Sequence, residues 1–209
     1  MLGFLHDVLY RYPAHKAVKD GFLTPLSMKV LDIPGILGRD YQKEYRNNYC
    51  KNEQFFEAIY KIVKKLDKNS QILILVDRKD EGGQAIQNFL KVNGISAGYI
   101  SGDDKKEVIS QVLEDFNNKK LRILIGSSVI GEGINIKSTD DLILACGGKS
   151  EIKIAQAIGR AVRLYPGKER ATVWDFRFTD TKYLEKHLEE RIRIFNKYFA
   201  GEVDEKCLL

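Results

Sequence analysis

The sequence has 209 residues, of which 44% are hydrophobic and 30% are charged, and its formal net charge is +5. This composition is typical of a soluble globular protein, and the mildly basic balance is compatible with a polyanionic partner. No apolar run approaches the roughly 18 residues of a membrane-spanning helix, and the stretch MLGFLHDVLYRYP lacks the layout of a cleavable signal. The three cysteines form no zinc-binding pattern, so we expect reduced thiols and no metal site.

The first 70 residues are rich in tyrosine and lysine. SMKVLDI (27–33) is a candidate strand, and the amphipathic pattern of NEQFFEAIYKIVKKL (52–66) predicts a helix. The segment 34–50 between them is expected to be a connecting loop. We expect residues 1–50 to form a linker that enters the domain and a peripheral segment, and residues 51–209 to form the main domain.

From residue 71 onward, strands alternate with helices. Aliphatic or β-rich runs predict strands at 71–77, 95–100, 121–126, 141–146 and 171–176. Apolar residues at helical spacing predict helices at roughly 81–93, 104–118, 151–163 and 180–199. Such alternation predicts an α/β fold with a doubly wound parallel sheet in three layers, whose ligands bind beyond the carboxyl ends of the strands. These ends are the segments that follow Asp77, Ile100, Gly126 and Cys146.

Several common catalytic patterns are missing from the sequence. It contains no GxxxxGK[ST] phosphate loop, no Asp-Glu pair in the usual magnesium-holding place and no Ser/His/Asp constellation. The three histidines, His6, His15 and His187, are expected to be surface or packing residues.

The segment GSSVIGEGINI (126–136) follows a predicted buried strand. A glycine-bearing loop at the carboxyl end of a parallel strand lets a phosphate approach backbone N–H groups. Ser127 and Ser128 could donate their hydroxyls to phosphate oxygens, and Asn135 could hydrogen-bond a ribose hydroxyl. The alternative is an ordinary strand-to-helix turn with serine caps.

The segment QAIGRAVR (156–163) keeps two arginines in a stretch that otherwise looks like a buried helix. Gln156, Arg160 and Arg163 fall at i, i+4 and i+7, on one helical face, and Gly159 removes side-chain bulk beside Arg160. An arginine face with no nearby acidic run calls for an external anion, and guanidinium groups pair bidentately with phosphate oxygens. A nucleotide γ-phosphate fits this description. The alternative is a structural salt bridge, to Glu151 or Glu132.

Together these segments resemble the second RecA-like domain of superfamily 2 helicases. The 126–136 segment resembles motif V, and QAIGRAVR matches the motif VI pattern QxxGRxxR at every defined position. LVDRKDEGGQAI (75–86) resembles the motif IV region. The wider stretch from GGKSEIKIAQAIGRAVRL to ATVWDF (147–176) looks closest to phage recombination and repair helicases and to restriction-type translocases. The resemblance covers roughly 70–176, and KAVKDGFLTP (16–25) resembles the linker from the first RecA-like domain.

The resemblance implies a RecA-like, P-loop NTPase-type fold and a role for each matching residue. Arg163 would be the arginine finger, Arg160 a second γ-phosphate contact, and Gln156 a third catalytic residue facing the ATP. The nucleotide-binding residues would be Gly131, Glu132, Gly133, Asn135, Arg160 and Arg163. The nucleic-acid contacts would be Ser127 and Ser128, to which position alone adds Lys79, Ser101 and Gly102, with solvated loop residues as the alternative. Ser127 stands where the family often has threonine, and Asn135 where it often has aspartate.

The family carries its phosphate loop on the first RecA-like domain, so we expect this sequence to be the carboxyl-terminal half of a two-domain motor. ATP with Mg²⁺ would be held mainly by the first domain, and the chain alone is expected to be inactive. The expected partners are that N-terminal RecA-like domain and single-stranded or branched DNA, in preference to RNA, with no membrane. The expected activity is that of an ATP-dependent DNA helicase in repair, recombination or replication. The expected location is the cytoplasm, or the host cytoplasm if a phage encodes the protein.

Two other classes of function stand beside this one. A helicase-like module could bind nucleic acid or a partner protein without ATP, although both motif VI arginines then have no purpose. A stand-alone Rossmann-like enzyme needs GxGxxG after its first strand, where this sequence has DRKDEGGQ.

Overall fold

The computed structural model describes residues 12, 14–77, 81–126, 136, 139–148, 150–199 and 201–208. Its α-helices are Ala14–Lys19 (α1), Tyr41–Tyr45 (α2), Glu53–Lys65 (α3), Gly82–Val92 (α4), Lys106–Asn117 (α5), Glu151–Ala161 (α6) and Leu184–Tyr198 (α7). Its strands are Leu26–Pro34 (β1), Ile72–Val76 (β2), Gly98–Ile100 (β3), Ile123–Gly126 (β4), Asp141–Ala145 (β5), Ala171–Thr179 (β6) and Glu202–Asp204 (β7). A π-helical turn, Arg46–Cys50, continues α2.

Seven strands of the described residues form one sheet in the order β3-β4-β2-β5-β6-β1-β7. Every pairing between neighbouring strands is parallel. The longest of these pairings joins β1 to β6 along their whole length, from Leu26 opposite Ala171 to Pro34 opposite Thr179. The predicted α/β fold with a parallel sheet is confirmed.

Apolar side chains on both faces of the sheet divide the core into two clusters. Along β2, Ile72 and Ile74 belong to the cluster that packs against α3 and α4. Leu73, between them, belongs to the cluster on the other face, which includes side chains of α5, α6 and α7. Successive residues of a strand point to opposite faces, so the uninterrupted aliphatic run of β2 supplies both clusters.

The segment 34–50, expected to be a connecting loop, instead contains α2 and the π-helical turn. Asp40 caps α2, since its carboxylate accepts a hydrogen bond from Lys43 N at 2.8 Å. Tyr45 and Tyr49 are buried, at 3% and 1% exposure. These turns are too short to show the apolar period of a helix, which is why the sequence pattern did not reveal them.

The structure also differs from the expected division at residue 50. Strand β1 lies inside the sheet, between β6 and β7, and pairs with β6 along its full length. Residues 26–34 therefore belong to the main domain rather than to a peripheral segment. Its partner β6 is more than 130 positions away, and pairing at that distance leaves no local pattern.

A buried carboxylate fixes the start of α7. Glu44 is 0% exposed, and its Oε1 accepts hydrogen bonds from Tyr183 N at 2.7 Å and Leu184 N at 2.9 Å. The first N–H groups of a helix have no partner within the helix, and a negative charge is favourable there. Glu44 thereby ties α2 to α7.

A buried ion pair joins β6 to α7. Asp175 Oδ2 accepts from Arg191 Nε at 2.6 Å and Asp175 Oδ1 from Arg191 Nη2 at 2.8 Å, with side-chain exposures of 0% and 1%. Arg191 Nη1 also donates to Gly148 O at 3.3 Å, in the loop before α6. Burial works to lower the pKa of Arg191, but attraction to Asp175 and the hydrogen bonds between them raise it on balance.

Asp175→Asn is expected to lower the free energy of unfolding by about 3–5 kcal/mol, because it leaves the Arg191 charge buried without its carboxylate. The measurement is equilibrium urea denaturation. The matched control is Asp32→Asn, whose carboxylate pairs with Arg177 at 3.1 Å and is 54% exposed. The control is expected to change stability by about 1 kcal/mol or less. Equal losses for the two variants would contradict the prediction.

Candidate functional site

Helix α6 carries Arg160 beside its apolar stripe, and Arg163 follows just after the helix ends. Four residues form that stripe at i, i+3, i+4 and i+7 spacing, and they pack in the same cluster as β5, β6 and α7: Ile154, Ala157, Ile158 and Ala161. At the start of the helix, Glu151 Oε1 accepts from Lys197 Nζ on α7 at 2.6 Å. The stripe fixes the rotation of α6 and leaves Gln156 exposed.

The predicted helix 151–163 ends earlier than expected, at Ala161. Val162 N donates to Ile158 O at 3.3 Å and Arg163 N donates to Arg160 O at 3.4 Å, so the chain tightens into a final turn. The three site residues were expected to share one face of the helix. Only Gln156 and Arg160 lie within the helix and can do so. Arg163 reaches its place through that turn.

The two arginines differ in exposure and influence each other. Arg160 is 9% exposed, whereas Arg163 is exposed. Burial lowers the pKa of Arg160, and the neighbouring charge of Arg163 lowers it further. Two like charges are thus held close together at the end of one helix, an arrangement that an anion would relieve.

Gly159 sits beside this pair with open space around it. Apart from its two chain neighbours and the nearby backbone of its own helix, a Cβ atom added at Gly159 would come within 4 Å of none of the described residues. Internal packing among those residues therefore gives no reason for a glycine in the middle of a helix, where it costs roughly 0.5–1 kcal/mol relative to alanine.

The salt-bridge alternative finds no support at Glu151. Hydrogen bonds from Lys197 and Tyr198 lower the pKa of Glu151, and Arg193 Nη2 approaches it at 3.9 Å. Glu151 also lies nine residues before Arg160, about 13 Å along the axis of the helix. The other candidate, Glu132, lies outside the described residues.

The carboxyl edge of the sheet holds the other predicted contacts. Ser101 is buried after β3; its N–H donates to Asp104 Oδ2 at 2.6 Å, and its Oγ accepts from Asp103 N at 3.4 Å. Gly102 is exposed in the same turn. The Asp104 carboxylate beside Ser101 weakens the case for a phosphate contact at this turn, and Ser101 and Gly102 remain predictions.

The remaining predicted contacts lie outside the described residues: Lys79, Ser127, Ser128, Gly131, Glu132, Gly133 and Asn135. Of the predicted site, the structure therefore describes the arginine end of α6 and the turn at Ser101. These two places lie at opposite ends of the strands: Ser101 at the carboxyl ends and the arginines at the amino ends. Thr24, just before the start of β1, donates from its N to Val162 O at 3.0 Å, which puts the end of α6 at the amino edge.

Two side chains that the sequence did not single out contact the backbone of Arg163. Thr24 Oγ1 donates to Arg163 O at 3.4 Å, and Lys168 Nζ donates to the same oxygen at 3.2 Å. Lys168 also hydrogen-bonds Ala161 O. In the sequence, Lys168 stands in YPGKER and looks like a solvated turn residue, so no local signal marked it.

Two features are absent from the described part of the chain. No helix in it is both long and apolar enough to cross a membrane. Nor does it contain a group of three His, Cys, Asp or Glu residues that could hold a metal ion.

The chain is similar to proteins whose names describe helicases. The family model described as "helicase conserved C-terminal domain" matches residues 54–165. The ATP-dependent DNA helicase uvsW of Enterobacteria phage T4 is 25% identical over 218 residues, covering 92% of this chain and 43% of that protein. The ATP-dependent RNA helicase RhlB of Pseudomonas aeruginosa is 31% identical over 88 residues, covering 42% of this chain and 22% of that protein.

A solved structure extends the similarity to nearly the whole chain. A fragment from Vibrio vulnificus YJ016, named as an HsdR subunit of a type I restriction enzyme, aligns with a TM-score of 0.71 at 16% identity. The alignment covers 96% of this chain and 39% of that one. At this identity the likeness shows the fold alone. The chain spans less than half the length of the phage relative.

Gly159→Ala is expected to raise the free energy of unfolding of this chain by about 0.5–1 kcal/mol, because alanine suits a helix and its methyl group meets open space. Urea denaturation measures the change. The matched control is Gly83→Ala in α4, where a Cβ would lie 2.5 Å from Tyr99 Cε2 and 3.2 Å from Val76 Cγ2. That variant is expected to lose about 1–3 kcal/mol by overpacking. A loss of stability in Gly159→Ala would show that the space is filled.

Proposed function

Because this chain belongs to the helicase conserved C-terminal domain family, we propose that it is the second motor domain of an ATP-dependent helicase or translocase. The predicted kinship with superfamily 2 helicases and the predicted RecA-like fold are both confirmed. The observation that carries the proposal is the pair of guanidinium groups at the end of α6. Arg160 is buried and Arg163 is exposed beside it.

The proposed role of the pair is to bind the γ-phosphate of an ATP molecule held by a separate N-terminal RecA-like domain. Holding Arg160 charged against burial and against Arg163 is unfavourable, and the charge of a triphosphate offsets both effects. Guanidinium groups also match phosphate oxygens in shape, since each presents two parallel N–H donors. Gln156, exposed one turn earlier on α6, faces the same side.

The proposed chemistry is hydrolysis of the terminal phosphoanhydride bond. A water oxygen attacks the γ-phosphorus, the bond from this phosphorus to the bridging oxygen breaks, and ADP leaves with that oxygen. The attacking water gives up a proton to solvent, so the products are ADP and inorganic phosphate. Negative charge develops on the transferred group and on the leaving oxygen. In this scheme Arg163 donates to these oxygens, and Arg160 holds a γ-phosphate oxygen in place.

We assign the phosphate loop and the Mg²⁺ ligands to the separate domain, because this sequence contains no GxxxxGK[ST] loop. Mg²⁺ would neutralise charge on the β- and γ-phosphates there. The contribution of this chain is then limited to the guanidinium groups and Gln156. It follows that the chain alone should not turn over ATP.

We propose single-stranded nucleic acid as the class of polymer on which the motor acts. The expected preference for DNA has no support among the relatives, because one is named a DNA helicase and another an RNA helicase. A motor that tracks a strand holds it mainly through the phosphate backbone, so binding should weaken steeply with salt and depend little on sequence.

The main test is steady-state ATP turnover by this chain fused to the N-terminal RecA-like domain of its own protein, with and without single-stranded DNA or RNA. Arg163→Ala is expected to lower turnover by about 10³-fold or more, the range known for arginine fingers. The matched control is Arg193→Ala on α7, whose guanidinium is also exposed and pairs with Glu190 at 2.7 Å. The control is expected to keep full turnover.

Each other outcome of this test points to a different conclusion. Equal turnover in the wild type and Arg163→Ala would make the arginines structural. A wild-type fusion that binds nucleic acid but ignores ATP would establish the non-catalytic module instead.

Gly159→Ala gives a test that leaves every charge in place. If another domain packs against α6, the added methyl group should hold that domain away from Arg160 and Arg163. Turnover of the fusion is then expected to fall about 10–100-fold, because displacements near 1 Å have effects of this size. Unchanged turnover, together with the gain in stability predicted above, would show that no surface approaches Gly159.

A further inference from the structure

Three hydrogen-bond donors converge on the last turn of α6. Thr24 contributes two of them, its N to Val162 O at 3.0 Å and its Oγ1 to Arg163 O at 3.4 Å. Lys168 contributes the third, from Nζ to Arg163 O at 3.2 Å, and the same group hydrogen-bonds Ala161 O. The carbonyls at the end of a helix have no partner within it and usually face water or a glycine turn. Here the partners come from Thr24, which is distant in the sequence, and from Lys168 in the turn that follows the helix.

Lys168 is half-buried between the end of α6 and two carboxylates at the start of β5. Burial lowers its pKa to about 8, although the charges of Asp140 and Asp141 act in the opposite direction. Asp141 is itself held by Trp174 Nε1 at 2.9 Å and Ser70 Oγ at 3.0 Å. Among the described residues, this region also holds Arg160, Arg163, Tyr165, Arg170 and Lys119, whose Nζ lies 4.9 Å from the centre of the Tyr165 ring.

The lowered pKa of Lys168 works against folding at neutral pH. An unfolded lysine titrates near 10.5, so between pH 8 and 10.5 the unfolded chain binds more protons than the folded one. This contribution to stability therefore rises with pH across that window, and below pH 8 the folded protein carries a charge that opposes folding. A positive charge beside the carbonyl end of a helix is favourable, and it strengthens both hydrogen bonds.

We infer that Lys168 and Thr24 form a clamp that fixes the backbone of residues 161–163 and thereby aims the Arg163 guanidinium. Both are positioning residues, because they contact the Arg163 carbonyl and leave its side chain to reach outward. The inference rests on the proposed function of Arg163. It adds that the aim of this arginine depends on the charge of one lysine.

The clamp also gives the segment before β1 a way to act on Arg163. Thr24 is 0% exposed, and Phe22 N and Leu23 N, just before it, both donate to Ala17 O of α1. A pull on this segment would therefore be transmitted to the carbonyls of Val162 and Arg163 through the two hydrogen bonds that Thr24 donates, at 3.0 and 3.4 Å. Movement of a domain that precedes this segment would change the aim of Arg163.

The clamp is tested first in this chain alone, by hydrogen exchange at the amides of residues 162–164. Lys168→Met removes the charge and the donor, and protection there is expected to fall about 10-fold, with the amides of β5 unchanged. Lys168→Arg should keep protection, since it keeps both charge and donors. The matched control is Lys91→Met at the exposed end of α4, which should leave protection at 162–164 unchanged.

The charge dependence is tested by repeating the exchange between pH 7 and 9.5. As pH rises through about 8, Lys168 loses its proton, so protection at 162–164 should fall in the wild type but not in Lys168→Arg. If Lys168→Met does not fold, the wild type and Lys168→Arg carry this test without it. Equal protection at every pH in both proteins would overturn the clamp.

The effect on aim is tested in the fusion to the N-terminal domain. Lys168→Met is expected to lower kcat about 10–100-fold with KM for ATP nearly unchanged, because an arginine finger acts in the transition state. Thr24→Val, which removes one donor, should lower kcat less. The wild-type kcat should decline above pH 8, and Lys168→Arg should abolish that decline while restoring kcat.

Failure of the inference is distinguishable from failure of the proposed function. If Arg163→Ala abolishes turnover but Lys168→Met does not change kcat, Arg163 is catalytic and the clamp is not needed to aim it. If Arg163→Ala has no effect, the proposed function itself fails, and changes in hydrogen exchange would show only that Lys168 caps a helix.

Discussion

The buried pair of Asp175 and Arg191 is the interaction on which the placement of α6 depends. It joins β6 to α7 through two hydrogen bonds, and a third, to Gly148 O, holds the loop from which α6 departs. Buried ion pairs add little net stability compared with apolar contacts, but they admit few alternative geometries. In the proposed motor, α6 presents arginines at a fixed place, and for that role the restriction in geometry matters more than extra stability.

Charged groups also hold both ends of α6, while its middle is held by apolar packing. Glu151 at the first turn pairs with Lys197 of α7, and Lys168 contacts the carbonyls of the last turn. The signs follow the helix dipole, with an anion at the amino end and a cation at the carboxyl end. The helix is therefore fixed along its axis as well as in rotation, and both are needed if Arg163 is to meet a phosphate on another domain.

The sequence predicted those elements that carry a strong local pattern. The aliphatic runs of β2, β4 and β5 could be assigned because both faces of these strands are buried, and α3 because its apolar period is clear. It did not predict α2, and it did not place β1 inside the sheet, because those features depend on contacts between distant segments. The same limit applies at the site, where Arg160 and Arg163 stand in a recognisable motif. Thr24 and Lys168 are ordinary residues until the fold brings them to the Arg163 carbonyl.

The geometry of the site divides the work between its two arginines. Arg160 is 9% exposed and held within the helix, so its guanidinium has little freedom to lose when a phosphate binds. Arg163 lies beyond the helix with an exposed side chain, and its backbone carbonyl is held by Lys168. The two arginines have different requirements in the proposed motor. Arg160 is a rigid contact that is always in place, whereas Arg163 must reach across the cleft to the N-terminal domain. The first needs burial, which lowers the pKa of Arg160, and the second needs a fixed backbone under an exposed side chain. A lysine charged at neutral pH can supply that anchor, even though burial opposes its charge.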